Sequence, residues 1–268
     1  MDLVMGLYDN FTKLTTEKGG LMYSIKSLRT VNPTCMVVVY CRREVVFEDL
    51  RNFCMAYSVI LIEDFNYPEN INCPGERKMI EHRFFLYRDY IMKCKVPIRR
   101  ILLTDLDDVI FQGDPFAIPF KEKLYCATEK NNLADMSNRS SCINMNLINE
   151  YLFIPMNYSK FTGNPITCCG TILGTREGIL KFLDFYVKAQ EFQKGTEQGL
   201  WNIFVYNYSI SHAIPLIGDS RILTLDSIDF SEIPMNAEGK AVNVHGEIYM
   251  IIHQYNRCNP EFWKSKVT

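Results

Sequence analysis

The sequence predicts an α/β fold: a mainly parallel, Rossmann-like central sheet with helices on both faces. Three observations carry the prediction. Apolar runs such as residues 35–40 and 101–104 are nearly continuous rather than alternating, the pattern of strands buried on both faces. These runs are separated by longer segments of helical period, as successive βα units require. The length of 268 residues, with 47% hydrophobic and 22% charged residues, suits one large globular domain with a substantial core. Sheets of this kind bind ligands outside the C-terminal ends of their strands.

Residues 2–8 read as a first strand leading into Asp9-Asn10. Residues 20–29 read as a helix with Leu21, Ile25 and Leu28 on one face, stopped by Asn32-Pro33. A second strand over 35–40 precedes a helix over 47–57 and a third strand over 59–62. A longer helix over 75–93 carries His82, Arg83 and Tyr87, and Arg83 and Tyr87, one turn apart, share a face. After the strand at 101–104 comes another over 123–128. Residues 131–157 are polar and without period, so they read as loops, the usual place for substrate selection. The run 166–173 contains Cys168-Cys169-Gly170-Thr171, and helices are expected over 176–190 and from Thr196 to Tyr206. A closing strand over 248–252 runs into His253-Gln254-Tyr255-Asn256-Arg257. With no internal repeat and no low-complexity linker, residues 1–268 are expected to form one domain.

The chemistry concentrates at the end of the strand at 101–104, where Asp105, Asp107 and Asp108 stand together before Val109, Ile110 and Phe111. Carboxylates a few ångströms apart repel and raise one another's pKa unless a cation neutralises them. A hard divalent ion, Mg²⁺ or Mn²⁺, is the natural partner, because it takes oxygen ligands and keeps positions open for phosphate oxygens. The competing structural reading is that these acids cap a turn or a following helix.

Composition excludes several classes. A net charge of -2 provides no basic field for nucleic acid. No apolar run is long enough to span a bilayer, and the N-terminus has no basic segment followed by a hydrophobic one. The ten cysteines (Cys35, Cys41, Cys54, Cys73, Cys94, Cys126, Cys142, Cys168, Cys169 and Cys258) form no CxxC pair, which argues against structural zinc. Scattered in apolar surroundings, they predict a reduced, cytoplasmic compartment. Sequons at Asn10, Asn138, Asn157 and Asn207 fit instead an ER or Golgi lumen, if an upstream anchor has been removed.

Taken in order, four short motifs resemble those of GT-A fold, nucleotide-sugar-dependent glycosyltransferases. Their layout is most similar to the retaining family that includes bacterial galactosyltransferases and glycogenin. Leu7-Tyr8-Asp9-Asn10-Phe11 is similar to the turn after the first strand that holds the nucleotide base and ribose. Asp105-Leu106-Asp107 matches the DxD motif. Glu197-Gln198-Gly199-Leu200-Trp201-Asn202 resembles the family's Asp-Gln-Asp-x-Leu-Asn segment. His253 sits where the family places a third metal ligand, but His-Gln-Tyr-Asn-Arg replaces the usual Gly and Lys-Pro-Trp that follow. That departure implies a different family on the same fold and leaves the stereochemistry open. Asp108 leaves the DxD register open as well: Asp105 with Asp107 is the chosen pair, Asp105 with Asp108 the alternative.

The resemblance implies a nucleoside-diphosphate sugar as donor, a glycan or other hydroxyl-bearing acceptor, and Mn²⁺ or Mg²⁺ held by Asp105, Asp107 and His253. Residues 1–111 would then bind the nucleotide sugar and residues 112–268 the acceptor. Donor contacts are expected from Tyr8, Asp9, Asn10, Arg83, Tyr87, Asp105, Gly170 and Arg257, the last supplying fork-shaped donors to the diphosphate. Gly170, without a Cβ, admits close approach of the donor sugar. Glu197 and Gln198 are the expected catalytic residues, Glu197 either as base on the acceptor hydroxyl or as an electrostatic partner of the anomeric carbon. Helix-terminal Glu197, core Trp201 and core Trp263 are the plainer readings of those side chains. Retention is the expected outcome, with inversion through Glu197 as the alternative. A nucleotidyltransferase or phosphohydrolase would also use paired Asp and Mg²⁺, but Gly19-Gly20 is too little for a phosphate loop. A silent lectin-like scaffold would have no reason to keep the acids together with His253.

Overall fold

The computed structural model describes residues 1–8, 20–43, 46–63, 65, 78–133, 139–149, 161, 163–192, 197–208, 212–213 and 219–267. Its elements run β1 (Asp2–Tyr8), α1 (Gly20–Val31), β2 (Met36–Cys41), α2 (Glu48–Ala56), β3 (Val59–Ile62), α3 (Lys78–Lys93), β4 (Arg100–Thr104) and β5 (Val109–Phe111). There follow β6 (Leu124–Asn132), α4 (Arg139–Asn149), β7 (Pro165–Thr175), α5 (Arg176–Phe192), α6 (Glu197–Asn207), β8 (His212–Ala213), β9 (Ile222–Thr224), β10 (Ile251–His253) and α7 (Pro260–Ser265). The main sheet has the order β3-β2-β1-β4-β7-β6-β8. Strands β1 to β4 are mutually parallel, β7 lies antiparallel between β4 and β6, and β8 joins β6 in parallel.

The apolar strands are continuous because both faces of this sheet are covered. In β1, Leu3, Met5 and Leu7 enter a core with Phe84 and Tyr87 of α3, Phe182 of α5 and Trp201 of α6. Val4 and Tyr8 enter the opposite core with Leu21, Ile25 and Leu28 of α1 and Leu50 and Cys54 of α2. The expected helical stripe of α1 is thus the stripe that is buried. A smaller sheet, β5-β10-β9, pairs β10 antiparallel to β5 and parallel to β9. It packs with Tyr255 and Trp263 into a third cluster. Trp201 and Trp263 are both fully buried core residues.

The chain passes from one sheet to the other through the carboxylates. After β4 it turns at once, with the N–H of Asp108 donating to the carbonyl of Asp105 at 3.2 Å, and re-emerges as β5. The side of β5 away from β10 is covered by α1. There Ser24 Oγ donates to the Val109 carbonyl at 2.5 Å, and Ser27 Oγ accepts from the Phe111 N–H at 3.1 Å. Two buried serines therefore stand in for a neighbouring strand and fix the turn's exit.

Some expectations change. Residues 139–149, expected as loop, form α4. Its period is weak because one side faces a polar pocket: Asn144 accepts from Gln198, and Ser141 bonds the Asn132 carbonyl at 2.6 Å. Its stability comes from tertiary packing rather than propensity, and α6 approaches it so closely that a Cβ on Gly199 would lie 2.5 Å from the Leu147 carbonyl. The closing strand begins at Ile251 rather than 248 and takes in His253, while Ile248 makes an isolated bridge to Val242. Strand β6 extends to Asn132, and β9 and α7 were not foreseen. No helix among the described residues is long and apolar enough to cross a membrane. Cys35, Cys41, Cys54, Cys94, Cys126, Cys168, Cys169 and Cys258 are free thiols.

Ser24→Ala strands a buried carbonyl and should cost about 1–3 kcal/mol in denaturant unfolding. Thr30→Ala, exposed on the same helix, should change stability by less than about 0.5 kcal/mol. Equal effects would mean that the bond to Val109 contributes nothing.

Candidate active site

The turn that closes β4 decides which acids meet. In an extended strand, residues two apart share a face, but a β-turn brings residues i and i+3 together. Asp105 and Asp108 are accordingly the pair that faces His253: ligand atoms of these three all lie within 4.8 Å of one another. His253 Nε2 is 3.4 Å from Asp108 Oδ1 and 3.8 Å from Asp105 Oδ2. This is the alternative register, and it differs from the chosen Asp105–Asp107 pair. Asp107 lies instead toward α1, where a Cβ on Gly20 would fall 1.7 Å from the Asp107 carbonyl oxygen and 2.7 Å from its Oδ1. Its charge, after burial, helps to raise the Tyr8 phenol to about 12.

His253 is 1% exposed, and neither its Nε2 nor Asp108 Oδ1 has a hydrogen-bond partner among the described residues. Its other nitrogen, Nδ1, is 3.6 Å from Cys168 Sγ. The tautomer that donates from Nδ1 turns the Nε2 lone pair toward the carboxylates, as a metal-ligating histidine requires. Burial opposes a charged ring, yet the contacts with Cys168, Asp108 and Asp105 outweigh it and hold the His253 pKa well above the ordinary value. A cation bound here would take the place of that proton. Gly170 lets the three ligands converge, since a Cβ there would stand 2.6–2.7 Å from the His253 ring and Asp105 Oδ2. Two carboxylates and one imidazole, whose buried Nε2 has no hydrogen-bond partner among the described residues, fit Mn²⁺ or Mg²⁺, and the nitrogen favours Mn²⁺.

Asp105 has a second partner. Its Oδ1 accepts from Arg83 Nη1 of α3, and Arg83 Nη2 is 3.5 Å from Glu197 Oε1 at the start of α6. Burial would raise the Asp105 carboxyl, but Arg83 and His253 hold it down, to about 2. Asp105 is deep in the fold and still keeps a third of its side chain open to the pocket. The Arg83 side chain is only 7% exposed, so the guanidinium is neutralised by two acids from different elements. Tyr87, one turn along the same face, is buried, and its hydroxyl has no hydrogen-bond partner among the described residues.

The Glu197-Gln198…Asn202 motif divides its work. The β6–β7 pairing shifts register between Cys126 and Thr128 and again before Asn132, leaving backbone groups of β7 to find other partners. Side chains of α6 supply them. Gln198 Oε1 accepts from the Cys169 N–H at 2.9 Å and its Nε2 donates to the Thr167 carbonyl at 3.0 Å. Asn202 both accepts from and donates to the Thr167 backbone at 3.0 Å. Gln198 and Asn202 hold α6 against β7, and Glu197 is left to meet Arg83.

The pocket, about 300 Å³, is lined by Arg83, Asp105, Gly170, Glu197, Gln198, His253 and Arg257. Arg257 reaches it while paired to Asp226 at 2.6 Å. Tyr8 is buried at the end of β1, and Asp9 and Asn10 lie outside the described residues. Several lining residues escaped the sequence reading, Asn144, Gln254 and Glu129 among them. Asn144 is on the unforeseen α4. Gln254 follows the ligand histidine in a left-handed conformation (φ 62°), with its amide oxygen buried and unpartnered among the described residues. Glu129 of β6 is buried, with Gln198 Nε2 3.5 Å from its Oε1. Burial, then Asp226, push the Glu129 carboxyl up to about 7. An acid in the middle of the strand Leu-Tyr-Cys-Ala-Thr-Glu was the available signal.

No protein-family model and no curated protein matches the sequence. Solved structures do match its fold. Galactosyltransferase LgtC, in complex with donor and acceptor sugar analogs, aligns at a TM-score of 0.51 and 15% identity, covering 94% of this chain and 86% of that one. Mouse xyloside xylosyltransferase 1, in its apo form, aligns at 0.52 and 12% identity, covering 94% of this chain and 97% of that one. At these identities the likeness establishes a shared GT-A fold.

The Glu129 shift makes a signed prediction. Between the ordinary carboxyl value of 4.5 and about 7, the folded protein keeps a proton that the unfolded chain has lost. Stability therefore falls as pH rises through that window, by a total on the order of 3 kcal/mol. In metal-free buffer, Glu129→Gln should be more stable than the native protein at pH 8, and the difference should vanish near pH 4.5. Denaturant unfolding at the two pH values measures it, and a difference independent of pH would contradict the assignment.

Proposed function

We propose that this chain is a divalent-metal-dependent glycosyltransferase, moving a sugar from a nucleoside diphosphate to a hydroxyl acceptor with retention. The observation that carries the reading is the convergence of Asp105, Asp108 and His253, whose ligand atoms lie within 4.8 Å of one another beyond β4 and on β10, with Asp105 and His253 lining the pocket. The shared GT-A fold is consistent with it. The donor and acceptor sugar analogs bound to galactosyltransferase LgtC make a nucleotide sugar the first donor to try.

Asp105, Asp108 and His253 would hold the ion, which when bound supplies Lewis-acid stabilisation to a departing diphosphate. Arg257 at the pocket margin would add fork-shaped donors to the same phosphates. Arg83 would orient Asp105 and Glu197 and keep Asp105 ionised. Gly170 would admit the donor sugar to the carboxylates. Gln198 acts as a positioning residue, since its amide is occupied by the β7 backbone and Asn144. Glu197, close to Arg83, is an electrostatic neighbour of the reacting centre rather than a free base. That favours retention, in which the departing phosphate oxygen takes the acceptor proton. The inverting reading draws on one observation: Glu129, with its pKa raised to about 7, suits a base working at neutral pH.

Slow, Mn²⁺-dependent hydrolysis of one member of a nucleotide-sugar panel is the expected outcome of a donor screen. No turnover and no binding of any nucleotide sugar, with the fold intact, would overturn the reading. Calorimetry of nucleoside diphosphate binding tests the ligand set. Asp108→Asn and His253→Ala should each raise the Mn²⁺ concentration required by tenfold or more. Asp107→Asn should leave it nearly unchanged; a larger effect at Asp107 than at Asp108 would return the register to Asp105 with Asp107.

Stereochemistry is read from the anomeric signal of the product by NMR. Under retention, Glu197→Gln should keep part of its donor hydrolysis, and Glu129→Gln should slow transfer less than the roughly 10²–10⁴-fold loss of a sole general base. An inverted product together with a loss of that size in Glu129→Gln would replace the mechanism.

A further inference from the structure

A second cavity lies beside the carboxylate pocket, about 220 Å³, between β6, β9 and the segment 228–249. Its walls include Ile222, Leu223, Ile233, Val242 and Tyr249, and the cleft is mostly apolar. Three features separate it from an ordinary packing defect. Glu129 lines both cavities, so they share a wall. Thr224, which lines the cleft and pairs with His253 across β9 and β10, is 1% exposed, and its hydroxyl has no hydrogen-bond partner among the described residues. Val244, also on the lining, is 68% exposed and marks the mouth.

We propose that this cleft binds the apolar aglycone of the acceptor, an aryl or short alkyl group, while the attached sugar reaches past Glu129 into the carboxylate pocket. The proposal rests on the glycosyl-transfer reading and adds the acceptor class to it. The cleft surface is mostly apolar although Thr128, Glu129, Lys130, Ser220 and Glu232 also line it, so an apolar group gains more there than a bare sugar does. A cavity of about 150 Å³ accepts benzene, so this one has room for a substituted phenyl ring or a chain of about six carbons. It is too small for a helix, whose diameter is about 10 Å. The Thr224 hydroxyl, buried and without a hydrogen-bond partner among the described residues, gives a polar handhold for such a ligand, next to the strand that carries His253.

The test uses paired methyl and para-nitrophenyl glycosides of xylose, glucose and galactose, with binding to the full chain measured by calorimetry and saturation-transfer NMR. The para-nitrophenyl member of at least one pair should bind tenfold or more tightly than its methyl partner, with saturation strongest on the ring protons. Val242→Phe, which fills the cleft, and Val244→Asp, which charges its exposed mouth, should each abolish that advantage while leaving Mn²⁺ binding unchanged. Equal affinities within every pair, or an advantage that survives both substitutions, would overturn the proposal. If the ring advantage holds and Mn²⁺ does not bind, the glycosyl-transfer reading falls and the cleft remains a small-molecule site.

Discussion

Three acids at the end of a buried strand must be neutralised, and the architecture around them follows from that requirement. Like charges at this depth repel strongly and lose much of their hydration. The protein meets the problem with partners that are themselves buried: Arg83 from α3 against Asp105, and His253 from β10 against Asp105 and Asp108. Neither partner completes the site. Asp108 Oδ1 and His253 Nε2 remain without hydrogen bonds among the described residues, 3.4 Å apart. A divalent cation would neutralise what Arg83 leaves over.

This requirement explains why so many elements terminate together. The turn at Asp105–Asp108 moves the chain from the large sheet to the small one, so ligands from two sheets meet at one point. Ser24 and Ser27 hold its exit, and Gly20 and Gly170 make room on either side. Opposite, Gln198 and Asn202 close the irregular stretch of β7 and bring Glu197 to Arg83. Much of the polar motif thus serves the backbone. Its conformational rigidity is what a pre-organised electrostatic site needs.

Much of this was legible from the residues. Strands buried on both faces announce themselves as unbroken apolar runs, so β1 to β4 stand where the sequence reading put them. That His253 meets Asp105 was implied by the resemblance to GT-A glycosyltransferases, which place a histidine ligand at this point of the chain. The register was not. The match to the DxD motif favoured Asp107, whereas a backbone hydrogen bond within a tight turn brings Asp108 round instead, and turn type is weakly encoded in Asp-Leu-Asp-Asp. Helix α4 was hidden because its polar side serves the pocket and its stability depends on α6. Glu129 was overlooked since burial, which raises its pKa, is a property of the tertiary structure.

The central claim is that Asp105, Asp108 and His253 are one cation site. Anomalous diffraction near the manganese absorption edge, from crystals grown with Mn²⁺ and a nucleoside diphosphate, tests it most directly. The account predicts a single strong peak bounded by those three side chains, with diphosphate oxygens on its open side. A peak held by Asp107 without Asp108, or density for the nucleotide with no metal at this position, would contradict it.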